Sequence, residues 1–188
     1  MLIALYSIYI QEINDIWFAV AFGANKKIIA SAFSRGGRSE VIAGILDRLP
    51  AYSSFFEAKS GGAALDVLKK MYHIYNGKSV KIKFSLDMDT LPPFTKRVLL
   101  LTCKIPRGYV ATYRGIAKAL GNSGAARAVG QAEASNPFAP IIPCHRVVSS
   151  GLGLHGYGGG LDVKRAILKR EGVVFKGKLV SKQSLWVP

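Results

Sequence analysis

Acidic side chains are scarce in this sequence: 11 Asp plus Glu stand against 26 Lys plus Arg over 188 residues, a formal net charge of +15. Cysteine is scarcer still. Two cysteines in a chain of this length make no disulfide framework, and without a CxxC or HxxxH spacing no metal site is expected. Long apolar runs are missing as well. The longest uncharged stretch, Val147 to Leu161, is glycine-rich and too short to span a bilayer, so no membrane association is expected. The opening MLIALYSIYIQE lacks a basic leader and a small-residue cleavage site and is not read as a signal peptide, which makes the expectation a soluble, cytoplasmic protein. What is present is a globular composition, 49% hydrophobic and 20% charged.

The positive charge is unevenly spread. Residues 1–90 carry 11 basic and 8 acidic side chains, whereas residues 91–188 carry 15 and 3. An excess concentrated in one half points to a polyanionic partner, with nucleic acid ahead of an anionic membrane surface. The balance changes at the polar, proline-rich stretch Asp87-Met88-Asp89-Thr90-Leu91-Pro92-Pro93, and the domain boundary is placed there: 1–90 and 91–188.

In the first part, residues 2–10, 16–22 and 27–33 are short β-branched and aromatic runs that predict a meander. Apolar spacing predicts helices over 38–49, stopped by Pro50, and over 63–75, stopped by Asn76-Gly77; Val80 to Phe84 alternates like a further strand. In the second part a helix is expected over 94–103. Thr112 is placed as the cap of a helix through Leu120, and Ser123 as the cap of another reaching about Ala134. Two short helices joined by a Gly-containing turn have the form of a helix-turn-helix. The second is unusual: Gly124-Ala125-Ala126-Arg127-Ala128-Val129-Gly130 offers small residues around one arginine. Small residues serve close helix packing, and they equally let a backbone press into a nucleic-acid groove with Arg127 as the long probe; the charge favours the second use.

Pro143-Cys144-His145-Arg146-Val147 is the most informative segment. A cysteine beside protonatable and cationic groups is disposed toward its thiolate, the nucleophilic form. Cys103, on an apolar helix face, reads instead as an inert buried thiol. Neighbours on an extended chain point opposite ways, so Cys144 and His145 need a turn or a bridging water to work together.

The segment 142–147, Ile-Pro-Cys-His-Arg-Val, resembles the active-site signature of the O6-alkylguanine-DNA alkyltransferases, single-use DNA repair proteins. The likeness runs through most of residues 92–175: Ile105-Pro106-Arg107-Gly108, Thr112-Tyr113, Ala125 to Gly130, Asn136-Pro137, the cysteine motif, Gly156-Tyr157, Gly159-Gly160-Leu161, Lys164 and Glu171-Gly172. Residues 1–90 resemble the family only in length and mixed pattern.

The resemblance implies an α/β fold class, with a ribonuclease-H-like N-terminal support domain and a C-terminal winged-helix domain that binds DNA and holds the active site. It implies that Cys144 takes the alkyl group from guanine O6 and keeps it, that His145 deprotonates Cys144 through a water, and that Glu171 orients His145. Tyr113 is implied as the donor toward guanine N3, and the Gly158 N–H as the donor to O6. The Cys144 and Val147 carbonyls would take the exocyclic amine, with Tyr157 packed on a flipped base. Asn136 matches the hinge before the cysteine loop. Arg127 would fill the stack gap, with Ser123, Ala125, Ala126, Ala128 and Gly130 lying along the minor groove of double-stranded DNA. No cofactor is implied. Some relatives hold zinc in the N-terminal domain; with no cysteine there and only His73, no such site is expected. The implied state is a monomer.

Glu133 departs from the pattern, since an acid near phosphates either weakens binding or points away from DNA. Gly158 stands where serine is common, and His155 has no matched role. Two rival classes remain distinguishable. A DNA-binding regulator explains the charge but gives Cys144 no purpose, and a cysteine hydrolase has no use for a basic helix pair.

Overall fold

The computed structural model describes residues 4–59 and 61–188. Strands β1 (Leu5–Ile13), β2 (Ile16–Phe22) and β3 (Ile28–Ser34) pair antiparallel in sequence, the meander expected from their composition; the expected start at residues 2 and 3 lies outside the described residues. Helix α1 (Arg38–Leu46) follows, then β4 (Ser54–Glu57), which runs parallel to β1 and gives the sheet order β3-β2-β1-β4. Helix α2 (Gly62–Tyr75) follows. Alternation along β2 sends Ala19 and Ala21 into a cluster with Val41 and Ile45 of α1. Phe18 faces the other way, its ring edge-on to Tyr72 and Tyr75 of α2. Each face of the sheet is thus closed by one helix.

Three expectations need correction here. The helix expected over 38–49 ends at Leu46, with 47–49 in turns that return to the carbonyls of Ala43, Ile45 and Leu46. Strand β4 was not expected, because Ser-Phe-Phe-Glu does not alternate; it is an edge strand exposed at every residue. Residues 80–84 form no strand. Burial alternates there, but the backbone meets β3 only just beyond, where Ile28 donates to Ser85 O and Asp87 donates to Ile28 O.

By Cα packing the chain forms two compact units, and a single cut does not separate them. The first comprises residues 1–75, 80–90 and 137–141; the second comprises 76–79, 91–136 and 142–188. Residues 137–141 run along β3, where Ser31 N donates to Pro137 O and Ser31 Oγ to Ala139 O.

The second unit holds α3 (Pro93–Thr102), α4 (Tyr113–Ala119), α5 (Ala126–Ala134) and α6 (Leu161–Glu171). Two-residue strands β5 (Ala111–Thr112) and β6 (Val147–Val148) pair parallel, and β7 (Phe175–Lys176) and β8 (Leu179–Val180) form a hairpin. Val98, Ile105, Ile116, Val129 and Val147 meet in one buried cluster, which ties α3, α4, α5 and β6 together. Thr112 caps α4 as expected, its hydroxyl accepting from Gly115 N at 2.9 Å. Ser123 does not cap α5. The helix starts at Ala126 with no side-chain cap, because Asn122 takes the turn instead, accepting from Gly124 N at 3.2 Å. Among the described residues no helix is long and apolar enough to cross a membrane.

Candidate active site

The site lies within the second unit and is built around a turn. Cys144–Arg146 form one turn of 3₁₀ helix, opened by Cys144 N donating to Ile142 O and continued by Arg146 N donating to Pro143 O. This is the turn that the adjacent pair Cys144-His145 requires. Cys144 is 9% exposed and His145 fully buried.

His145 Nε2 lies 3.0 Å from Glu171 Oε1. A carboxylate has no hydrogen to give, so Nε2 carries it and Nδ1 keeps a lone pair. Nδ1 is buried and has no protein partner. Burial pushes the imidazole pKa down, against the Glu171 hydrogen bond and charge, which raise it, so the neutral ring is favoured by its surroundings.

Glu171 is the last residue of α6, which closes on Gly172 in the left-handed region at φ 95°. A carboxylate at a helix C-terminus opposes the dipole, and burial alone would raise its pKa. Hydrogen bonds from His145 and Arg146 outweigh both effects and hold Glu171 at about 2. Arg146 grips it with two nitrogens, Nε to Oε2 at 2.9 Å and Nη2 to Oε1 at 2.7 Å, while Nη1 donates to Ile105 O at 2.8 Å. The guanidinium matches the carboxylate fork to fork.

Lys164 is fully buried, donating to Val147 O at 2.7 Å and His155 O at 2.8 Å. Burial lowers its pKa to about 8, although Cys144 and Glu133 act to raise it. Its ammonium stands 5.9 Å from the Tyr157 ring centroid, and that ring is edge-on to His145. Val147 O therefore has one lone pair engaged and a second to offer. Tyr113 opens α4, its hydroxyl 3.5 Å from His155 O; burial, Glu133 and Cys144 push the phenol up to about 12. Asn136 is buried and donates to Ile142 O at 3.1 Å, two residues before the cysteine. Gly158 is exposed in the loop that leads through Gly160 (φ 89°) into α6.

On α5, Arg127 and Ala128 are exposed, as is Ser123 in the preceding turn; Ala125, Ala126 and Gly130 are half-buried. The buried face carries Val129, Ala132 and Glu133. Cys103 is not the buried thiol expected from its sequence. It follows the last residue of α3 and is exposed, with partial burial of the thiol and the Glu133 charge pushing its pKa up.

Residues 93–173 match the family model described as 6-O-methylguanine DNA methyltransferase, DNA binding domain. Over 168 residues, 85% of this chain and 91% of the relative, the sequence is 35% identical to the methylated-DNA--protein-cysteine methyltransferase of Thermococcus gammatolerans. The chain belongs to that methyltransferase family. Its mixed α/β fold is similar to two solved structures. One is the O6-methylguanine-DNA methyltransferase of Pyrococcus kodakaraensis, with TM-score 0.68 and 28% identity over 89% of this chain and 99% of that one. The other is Mycobacterium tuberculosis OGT in complex with DNA, with TM-score 0.68 and 26% identity over 88% and 92%.

Within this methyltransferase site the sequence gives Lys164 and His155 no role, and gives Arg146 only that of a cation beside Cys144. For Lys164 a signal existed: the buried positions of α6 are 163, 164, 167, 168 and 171, so a helical stripe already placed Lys164 and Glu171 on the inner face. For Arg146 no spacing announces the clamp, because its partner is 25 residues away. His155 acts through its carbonyl, which no side-chain pattern reveals. The three carboxylates of residues 91–188 also sort by burial: Glu133 and Glu171 are inside, and Asp162 is exposed.

Proposed function

We propose that Cys144 is the alkyl acceptor in the direct reversal of O6-alkylguanine damage in double-stranded DNA, a reaction each molecule performs once. His145 Nδ1 takes the thiol proton, through a water, and Glu171 with Arg146 steadies the imidazolium. The Cys144 sulfur donates an electron pair to the alkyl carbon; the S–C bond forms as the C–O6 bond breaks, and that electron pair leaves with guanine. Tyr113 gives its proton toward N3 as charge builds, the Gly158 N–H holds O6, and the proton held on His145 balances the one guanine gains. The carbonyls of Cys144 and Val147 fix the exocyclic amine, and Tyr157 packs on the base. The thioether does not reverse, and the electron count needs no cofactor. The observation that carries this reading is His145 Nδ1, buried and without a protein partner beside Cys144.

A stacked base is out of reach, so the nucleotide must be turned out of the duplex. Arg127, exposed on a helix of small residues, is read as the side chain that fills its place, with Ser123, Ala125, Ala126, Ala128 and Gly130 along the minor groove and Asn136 bracing the cysteine loop. The α4–α5 pair supports a winged-helix assignment for the part from 91 onward, and the sheet order β3-β2-β1-β4 supports a ribonuclease-H-like support domain over 1–90. The protein acts as a monomer in the cytoplasm.

Intact mass after incubation with excess O6-methylguanine duplex, followed by peptide mapping, tests the reading. One methyl group per molecule, on Cys144 and not Cys103, is expected; no added mass with DNA binding intact would overturn it. Arg127→Ala should slow transfer from duplex by about ten- to a hundredfold, the rate equivalent of a few kcal/mol of unstacking. Transfer from a single-stranded oligonucleotide should change far less. Single-turnover rates on the two substrates decide it.

A further inference from the structure

Helix α5 buries three residues, and one of them does not belong with the others. Val129 and Ala132 are apolar; Glu133 is a carboxyl 6% exposed. Its Oε1 meets Thr102 Oγ1 at 2.5 Å, and that same hydroxyl lies 3.0 Å from Val98 O. A hydroxyl has one hydrogen and a carbonyl has none. When the Thr102 hydrogen serves Val98, the contact to Glu133 is made with a proton carried by the carboxyl. Glu133 Oε2 is buried with no hydrogen-bond partner, a costly place for a charged oxygen and a tolerable one for a neutral acid.

The inner face of α5 also passes the reacting groups. Gly130 sits one turn before Glu133 on the same face, and a Cβ there would meet the Tyr113 ring at 3.9 Å. The titratable groups facing Glu133 are Cys103 at the end of α3, Tyr113 on α4 and Lys164 on α6; Cys144 in turn acts on both Tyr113 and Lys164. Burial holds Glu133 up at about 8, against the Thr102 hydrogen bond and Lys164, which lower it.

We infer that Glu133 is a positioning residue of the alkyl transfer, acting through Tyr113: the reaction runs with its carboxyl protonated, and loss of that proton slows it. With the acid neutral, the Tyr113 hydroxyl can release its proton toward the charge developing on guanine. With the acid ionised, its negative charge disfavours the phenolate and Tyr113 becomes a poorer donor. The inference rests on the proposed reaction and adds its alkaline limit.

The test is the single-turnover rate of methyl transfer to Cys144 as a function of pH for wild type, Glu133→Gln and Thr102→Val. Taking the ratio of variant to wild type cancels ionisations that do not sense Glu133; Lys164, which does, keeps more of its charge in wild type at high pH, so a rise in the ratio is not of its making. Between about pH 7 and about 9.5 the Glu133→Gln ratio should rise about tenfold, because Gln stays neutral throughout. On ionisation the Thr102 hydrogen turns from Val98 O to the carboxylate, a charge-assisted bond stronger than the neutral one it replaces; Thr102→Val removes it, so the fall in rate should move to higher pH. A thermal melt supplies a readout independent of catalysis. A raised carboxyl gives stability that is complete below its unfolded value near 4.5 and is lost as pH rises to about 8, so the melting temperature of Glu133→Gln should gain on wild type across that window. A flat ratio in an active wild type would overturn the inference and leave the repair reading standing. A wild type that never methylates Cys144 would overturn both.

Discussion

Cys144→Ser should gain no mass from O6-methylguanine duplex at any incubation time, yet should bind that duplex as wild type does. Serine replaces one atom in a side chain already 9% exposed, so packing changes little. The chemistry changes completely, because the thiolate attacks and a hydroxyl at neutral pH is almost never ionised. Loss of transfer should be on the order of 10⁶-fold, the scale on which removal of a nucleophile acts. Binding by gel shift at fixed salt and intact mass on the same sample separate the two properties. Cys103→Ser, by contrast, should still gain one methyl group. A Cys144→Ser protein that fails to bind would mean the cysteine also shapes the DNA surface, and one that still gains mass would move the acceptor elsewhere.

Glu171→Gln should both slow the reaction and weaken the fold. Two oxygens of Glu171 serve three donors, His145 Nε2 and the Nε and Nη2 of Arg146, in a setting where the carboxylate is 1% exposed as a side chain. Gln keeps one acceptor and presents an NH₂ to a guanidinium. Breaking a buried pair from one side costs about 3–5 kcal/mol, and misorienting the general base costs about 10² to 10⁴ in rate. The stability term has a definite pH window. Glu171 is held at about 2, below its unfolded value, so the stability it contributes is complete above about 4.5 and is lost as pH falls toward 2. Urea melts should therefore place wild type well above Glu171→Gln near neutral pH and bring the two together in acid. Curves that stay parallel from neutral pH to about pH 3 would assign the loss to packing instead.

The sequence was most legible where one local interaction decides the structure. Thr112 caps α4 because its hydroxyl reaches an N–H three residues on, and β2 alternates because each face meets its own helix. It was least legible where a competitor lay close by or a partner lay far off. Ser123 reads as a cap until Asn122, one residue earlier, takes the turn. Residues 80–84 alternate like a strand but have no ladder to join, and β4 joins one without alternating. Within the site, Cys144 and its neighbour His145 stand out by their local chemistry, whereas Tyr113 and Glu171 are legible only through the family's motif. Lys164 and Arg146 bind groups brought in from 9 to 41 residues away, which a linear reading does not bring together.

The placement of the three carboxylates bears on how the protein meets salt. To a mobile ion in solution, residues 91–188 offer a single exposed carboxylate, Asp162, because Glu133 and Glu171 are enclosed. Small anions therefore gather along this part of the chain, and both their cloud and the cation cloud of the duplex are released when the two surfaces join. Affinity should then fall steeply as salt rises.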